Sequence, residues 1–174
     1  HLNKEAGKVE MMRSCTIDSS LTLSGGLLQT DSLISLKSPV TTTGSSANSF
    51  IDGPVKKTGN SAFVFPIGDQ GKYRPLTISA PSQATDAFSA QYFYSPQQAG
   101  TSTDTTIGEI SPCNYWDLQR KTGTSNVYVT LSWDSIGCCV VDSSNIRVTN
   151  WNNSVWKDLG KGSLGGNANT GQIT

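Results

Sequence analysis

The sequence predicts an all-β protein: an antiparallel β-sandwich of about seven strands, Ig-like or jelly-roll-like, preceded by a short β-solenoid-like or hairpin segment. Three observations carry that expectation. Thr, Val, Ile, Tyr and Trp fall in short runs between clusters of Gly, Asn, Pro and Ser, the punctuation of strands and turns. Hydrophobic residues make up 35% of the chain, and helix formers are too sparse for helices of any length. Ser and Thr together number 43 of 174 residues, against 13 Lys+Arg and 13 Asp+Glu, so hydroxyls rather than charges carry the polarity.

Texture divides the chain into a segment 1–58 and a domain 59–174. From Cys15 to Thr58 the apolar residues come in short groups: Leu21 and Leu23; Leu27 and Leu28; Leu33, Ile34 and Leu36; Phe50 and Ile51; Val55. Strand pieces this short suit the rungs of a solenoid, where one coil cannot bury its apolar face without stacking on the next. Two hairpins of a sandwich would read similarly. From Gly59 onward the runs lengthen and alternate, giving seven candidate strands at 61–67, 74–80, 87–94, 115–121, 126–133, 145–151 and 155–159. Pro66 and Pro75 belong at strand ends or on an edge, because proline cannot donate to a central ladder.

Two hairpins are expected at residue level. With Gly123 to Asn126 as the loop, Trp116 faces Trp133, Leu118 faces Leu131 and Arg120 faces Val129, which gathers most of the large apolar side chains on one face. A second turn at Asn152 and Asn153, residues that tolerate positive φ, sets Ile146 opposite Leu159, Arg147 opposite Asp158 and Thr149 opposite Trp156. Trp116 and Trp133 are thereby expected in the core. Trp156, on the other side of its hairpin from Ile146, becomes a candidate glycan contact together with Tyr128, because an exposed aromatic ring can stack on a sugar.

The four cysteines, Cys15, Cys113, Cys138 and Cys139, match no Cys/His metal spacing and read as disulfide partners in an oxidising compartment. The first hairpin brings Cys113 near Cys138 and Cys139. A bond to either closes a loop of roughly 25 residues and contributes about 3 kcal/mol. Cys15 and the remaining cysteine are expected to form a second bond.

Composition also excludes functions. With a formal net charge of zero and no clustered Lys or Arg, nothing supports binding to nucleic acid or to a membrane surface. No apolar run approaches a membrane span, and no signal peptide is recognisable. Catalytic constellations are absent: the single histidine is His1, and neither H-E-x-x-H nor G-x-S-x-G occurs. Ten Asp and three Glu leave a two-carboxylate glycosidase formally open, but no pair stands out. Gly68 to Lys72 (GDQGK) lacks phosphate-loop spacing and reads as a hairpin turn. No cofactor is expected. Calcium stays open as a loop-stiffening ion, although Asp18, Asp31, Asp52, Asp69, Asp86 and Asp104 recur singly.

The stretch Ser49 to Ala80, SFIDGPVKKTGNSAFVFPIGDQGKYRPLTISA, with ATDAFSAQYF after it and CNYWDLQRKTGTSNVYVTLSWDS and IRVTNWNNSVWKDLG further on, resembles a β-rich module of large secreted and cell-surface proteins of Bacteroidetes-type bacteria, including gliding-motility adhesins. The resemblance spans roughly Cys15 to Gly160. It implies export by the type IX secretion route, an extracellular or cell-surface location, and O-glycosylation at Asp-Ser/Thr sites, for which Ser32, Thr105 and Ser135 fit. The doubled Cys138 and Cys139 departs from the pattern.

Together these readings lead to the expectation of a non-enzymatic structural or adhesive module. Its partners would be a polysaccharide, another surface protein or a further copy of itself. The alternative is a carbohydrate-binding module attached to a secreted polysaccharide-degrading enzyme.

Overall fold

Short aliphatic triplets flanked by Ser, Thr and Gly are stable only as layers of a stack, and the computed structural model, which describes residues 1–134, 143–167 and 169–174, stacks them in parallel. The chain runs through β1 (Leu2–Glu10), β2 (Cys15–Ile17), β3 (Ser20–Gln29), β4 (Ile34–Leu36), β5 (Thr41–Thr43), β6 (Ile51–Asp52) and β7 (Val55–Thr58). It continues through β8 (Phe63–Phe65), β9 (Ile67–Asp69), β10 (Lys72–Tyr73), β11 (Leu76–Ile78), β12 (Ala87–Phe93) and β13 (Tyr115–Thr122). The last strands are β14 (Val129–Asp134), β15 (Val148–Trp151), β16 (Trp156–Gly160), β17 (Leu164–Gly166) and β18 (Thr170–Ile173). Among the described residues there is no α-helix, and no helix is long and apolar enough to cross a membrane.

The chain forms two compact units, one of residues 1–94 and 116–129, the other of 95–115 and 130–174. In the first, β2, β4 and β7 pair in parallel, so that Cys15, Ile34 and Val55 lie in one file and Ile17, Leu36 and Lys57 in another. A second parallel sheet runs β1, β3, β6 and β9, with the file Val9, Leu28, Ile51 and Ile67. Successive layers stand about 20 residues apart, which is the coil length of a small solenoid. The short strands within residues 15–58 thus pair in parallel, and the parallel pairing extends to β1 on one side and β9 on the other.

Antiparallel strands close one end of this stack. β12 pairs with β7, setting Ala90 opposite Val55 and Phe88 opposite Lys57, and β13 lies beyond β12. β10 folds back on β9 through Gln70 and Gly71, both at positive φ, so the GDQGK stretch is the hairpin turn it was read to be. Ile34, Leu36, Val40, Phe50, Ile51, Val55, Phe65, Ile67, Leu76, Ile78 and Tyr92 are all fully buried. Lys57 shares this interior at 4% exposure. Its Nζ donates to the carbonyls of Val40 (2.5 Å) and Lys37 (3.2 Å) and stands 5.2 Å from the centre of the Phe63 ring. Burial holds its pKa below the usual lysine range.

The expected boundary at residue 58 does not separate these parts, because β6 pairs across it with β9 and β7 with β12. Strands form within all seven of the predicted runs beyond Gly59, but their pairing differs from the expectation. Pro66 splits the first run: β8 pairs antiparallel with β11, whereas β9 joins the parallel sheet. The hairpin of β13 on β14 is not formed, since β13 neighbours β12 and β14 pairs with β18.

The loop after β13 explains that outcome. Asp86 is buried at 1% exposure, and its Oδ2 accepts the Ser125 hydroxyl and the Gln83 amide (3.1 Å). The Ser82 amide donates to Ser125 Oγ at 2.9 Å, and Arg120 Nη1 donates to the Ser125 carbonyl at 2.8 Å. The chain is thus pinned at Ser125 instead of turning tightly on itself. Gly123 sits against this carboxylate at φ 87°, and a Cβ there would stand 1.5 Å from Asp86 Oδ1. Gly123→Ala is expected to lower stability by about 2–4 kcal/mol through clash and left-handed strain. The check is the urea midpoint, and a value unchanged from the parent chain would contradict this packing.

Candidate functional site

The most elaborate surface feature among the described residues lies in the second unit, where β15 and β16 form a hairpin. Asn152 Oδ1 accepts the amides of Ser154 and Val155, the Asn152 amide donates to the Val155 carbonyl, and Asn153 takes φ 72°. The turn therefore spans four residues, not two. The register is consequently shifted by two from the expected one: Trp156 stands opposite Trp151, and Asp158 opposite Thr149. A two-residue slip preserves which face each side chain occupies. Arg147 still reaches Asp158, at 3.4 Å.

The two indoles clasp a neighbouring segment. Their centroids are 5.6 Å apart at 52°, and Trp151 lies over Gly100, where a Cβ would come within 2.8 Å of the ring. Trp156 Nε1 donates to the Gly100 carbonyl at 2.9 Å. The Trp156 amide donates to the Ser102 carbonyl, and the Asp104 amide to the Trp156 carbonyl. Lys157 pairs with Asp104 at 3.6 Å, and the Thr106 hydroxyl donates to Asp158 Oδ2 at 2.8 Å. Trp156 is half-buried and engaged, so it is not the open platform that was expected.

Tyr128 is the better exposed ring, at 77%. Its backbone is fixed against Ser79, the Ser79 amide donating to the Tyr128 carbonyl and the Tyr128 amide to Ser79 Oγ, both at 2.9 Å. Val64, 44% exposed, lies opposite Thr77 in the neighbouring ladder. By the alternation of strand side chains, Val64, Thr77, Ser79 and Tyr128 share the outer face. Tyr92 is fully buried against Trp116, whose Nε1 donates to the Arg74 carbonyl at 3.1 Å. Trp116 and Trp133 are both half-buried, and Trp133 covers Gly171 while donating to the Asn167 carbonyl.

The remaining candidates are dispersed. Cys113 is disulfide-bonded, while its expected partners, Cys138 and Cys139, lie outside the described residues, as does Ser135. Cys15 carries a free thiol, half-buried in file with Ile34, so the expected second bond is not formed. Ser32 is half-buried, its amide donating to Thr30 Oγ1, and Thr105 is exposed on the clasped segment.

Two further carboxylates bear on Asp52 in β6. The Asp52 carboxyl is held above the usual range by burial first, then by the charges of Asp69 and, more weakly, Asp31. Among the described residues, however, no three His, Cys, Asp or Glu side chains stand close enough to hold a metal ion. Sequence reasoning missed the buried Asp86 and Lys57 and the seat of Trp151 on Gly100, because single Asp, Lys and Gly residues carry no local signal of burial.

No family model, curated protein or solved structure matches the chain.

Two measurements check these assignments. Trp156→Ala removes the Gly100 contact and the indole pair, and should speed exchange of the Asp104 amide by roughly tenfold or more while the first unit is unaffected. The second concerns pH. The Thr106 hydroxyl, the Gly160 amide and then Arg147 hold the Asp158 carboxyl below its usual range. Its contribution is therefore complete above the ordinary carboxylate pKa of about 4 and fades as pH falls through the lowered folded value. Asp52 has the opposite sign: its folded pKa is raised, so ionisation costs stability at neutral pH. Asp52→Asn should raise the melting temperature at pH 7 and give little change near pH 3.

Proposed function

We propose that this chain is a non-enzymatic structural or adhesive module, acting outside the cell as part of a bacterial surface or secreted protein. The observation that carries the reading is the continuous file of paired strands from β2 through β4, β7 and β12, in which short rungs are welded into one sheet by backbone hydrogen bonds and fully buried aliphatic side chains. Such a stack holds its shape under load because its inner strands β4, β7 and β12 are bonded on both edges. The finer architecture supported here is a small solenoid closed by antiparallel strands. The likeness of roughly Cys15 to Gly160 to modules of Bacteroidetes-type surface proteins fits that role and suggests type IX export, with Ser32 and Thr105 as glycan attachment sites.

The surface suits partners of low charge. Hydroxyl and amide side chains dominate it, and a chain with as many acidic as basic residues presents no strong field. Shape and hydrogen bonding would then select a polysaccharide, another surface protein or a like chain.

A carbohydrate-binding role is the second reading, favoured by one feature: the exposed Tyr128 ring, whose backbone is fixed against Ser79. A glycan array on the full chain separates the two. Silence across the array is expected for a structural module, whereas specific binding abolished by Tyr128→Ala, with the melting temperature unchanged, would establish the carbohydrate-binding reading in its place.

A further inference from the structure

Two segments far apart in sequence run side by side on the first unit. Ser79 is hydrogen-bonded twice to the Tyr128 backbone, and the Ser82 amide donates to Ser125 Oγ, all at 2.9 Å, so 79–82 and 125–128 lie in opposite directions. Along the second segment exposure alternates: Thr124, Asn126 and Tyr128 are exposed, while Ser125 is buried and Val127 half-buried. The exposed side chains therefore turn to one side, with about 7 Å between successive ones.

Beneath this strip the buried Asp86 carboxylate fixes the direction of the hydroxyl protons. Ser125 Oγ has one proton and gives it to Asp86 Oδ2, which can only accept. The Ser82 hydroxyl, paired with the same serine oxygen, must then be the donor, and its own oxygen is left to accept a bond on an exposed residue.

Arg120 is pinned to the same loop. Its Nη1 donates to the carbonyls of Thr124 (3.2 Å) and Ser125 (2.8 Å) and to Asn126 Oδ1 (3.2 Å). Nη2 and Nε have no acceptor, and the guanidinium no carboxylate partner, among the described residues, although the side chain is exposed. A guanidinium ordered through one nitrogen and open along its other edge is a fork suited to a planar anion, with little freedom left to lose on binding. Asn126, which accepts through Oδ1, keeps its amide group as a further donor. Two residues along the exposed side stands the Tyr128 ring, 77% exposed on a fixed backbone. Such a ring takes the carbon face of a pyranose.

We propose that Tyr128, Arg120, Asn126 and Ser82 form a subsite for a uronate residue carried by an otherwise neutral polysaccharide, with the pyranose against Tyr128 and the carboxylate on the open edge of Arg120. A neutral sugar would leave the fork unused, and an acidic peptide would leave the ring and the Ser82 oxygen unused. The proposal rests on the carbohydrate-binding reading and names the ligand that reading leaves open. Because the chain as a whole presents no strong field, recognition of the acid is local: one fork meets one carboxylate.

Isothermal titration calorimetry of the full chain tests it, using tetrasaccharides that carry one glucuronate, galacturonate or mannuronate residue, each beside its carboxyl-reduced form. At least one acid is expected to bind tenfold or more tighter than its reduced counterpart, with the difference shrinking as salt is raised. Tyr128→Ala should abolish binding without moving the melting temperature, and Arg120→Lys, which keeps the charge but loses the fork, should erase most of the preference for the acid. Arg120 also braces its loop, so the comparison with the reduced sugars, made on the unaltered protein, carries the same test without a substitution. Equal binding of acid and reduced forms, lost in Tyr128→Ala, would overturn the uronate subsite and leave the carbohydrate-binding reading standing. Silence with every sugar would overturn both. A preference for the acid that survives Arg120→Lys and Tyr128→Ala, or equally tight binding of oligoglutamate, would also overturn the assignment.

Discussion

Everything else in the first unit depends on the parallel pairing of β2, β4 and β7. None of these strands exceeds four residues, and no strand that short survives in water without neighbours. Their stability comes from being sandwiched: Ile34, between Cys15 and Val55, and Leu36, between Ile17 and Lys57, are completely excluded from solvent. The turns between rungs accept costs because of that packing. Gly44, at φ 77°, brings the chain so close to the layer below that a Cβ would stand 2.4 Å from the Leu23 carbonyl. Lys57 occupies an inward position at which an aliphatic residue would be natural, and its ammonium instead ties down the carbonyls of the turn from Lys37 to Val40.

The antiparallel strands play a different part. A parallel ladder has no intrinsic end, and β12 supplies one by reversing direction against β7. The reversal is held from outside by Asp86, whose backbone carbonyl accepts the Gly59 amide and whose carboxylate gathers Ser125 and Gln83. One buried acid thereby joins the last rung of the solenoid, the entry to β12 and the loop after β13, three segments far apart in sequence. In the second unit Trp151 and Trp156 do similar work by apolar means, using Gly100 as the flat surface on which an indole can rest.

Much of this was legible in the sequence, and the failures have specific causes. The short groups around Leu21, Ile34 and Val55 suited stacked coils and two hairpins alike, and it is the parallel pairing of β2, β4 and β7 that separates the two. The first coil escaped notice because Lys4, Glu5, Lys8 and Glu10 make β1 look like a solvated segment, as an outermost strand does. Pro66 hid the transfer of β9 to the parallel sheet, since a proline break between two apolar pieces looks like the bend of one strand. The expected β13–β14 hairpin failed for a deeper reason. Alternation states which side chains share a face, but not which neighbour supplies the hydrogen bonds, and the deciding contact, Ser125 to Asp86, joins residues 39 apart. In the second hairpin the Asn152 side chain lengthened the turn by two residues. That change moved every partner but no face, which is why Arg147 and Asp158 still met. Trp156 as a platform failed on the same slip, which placed it against Trp151.

The layered build carries a consequence for how such a chain can vary. Each coil touches only the layers above and below it, and each layer repeats after about 20 residues with the same inward aliphatic positions. Removing or adding part of a coil would throw side chains onto the wrong face, but a whole coil leaves the cap at β12 chemically unchanged. Length is therefore a modular quantity here: reach can change by whole cassettes under the same cap.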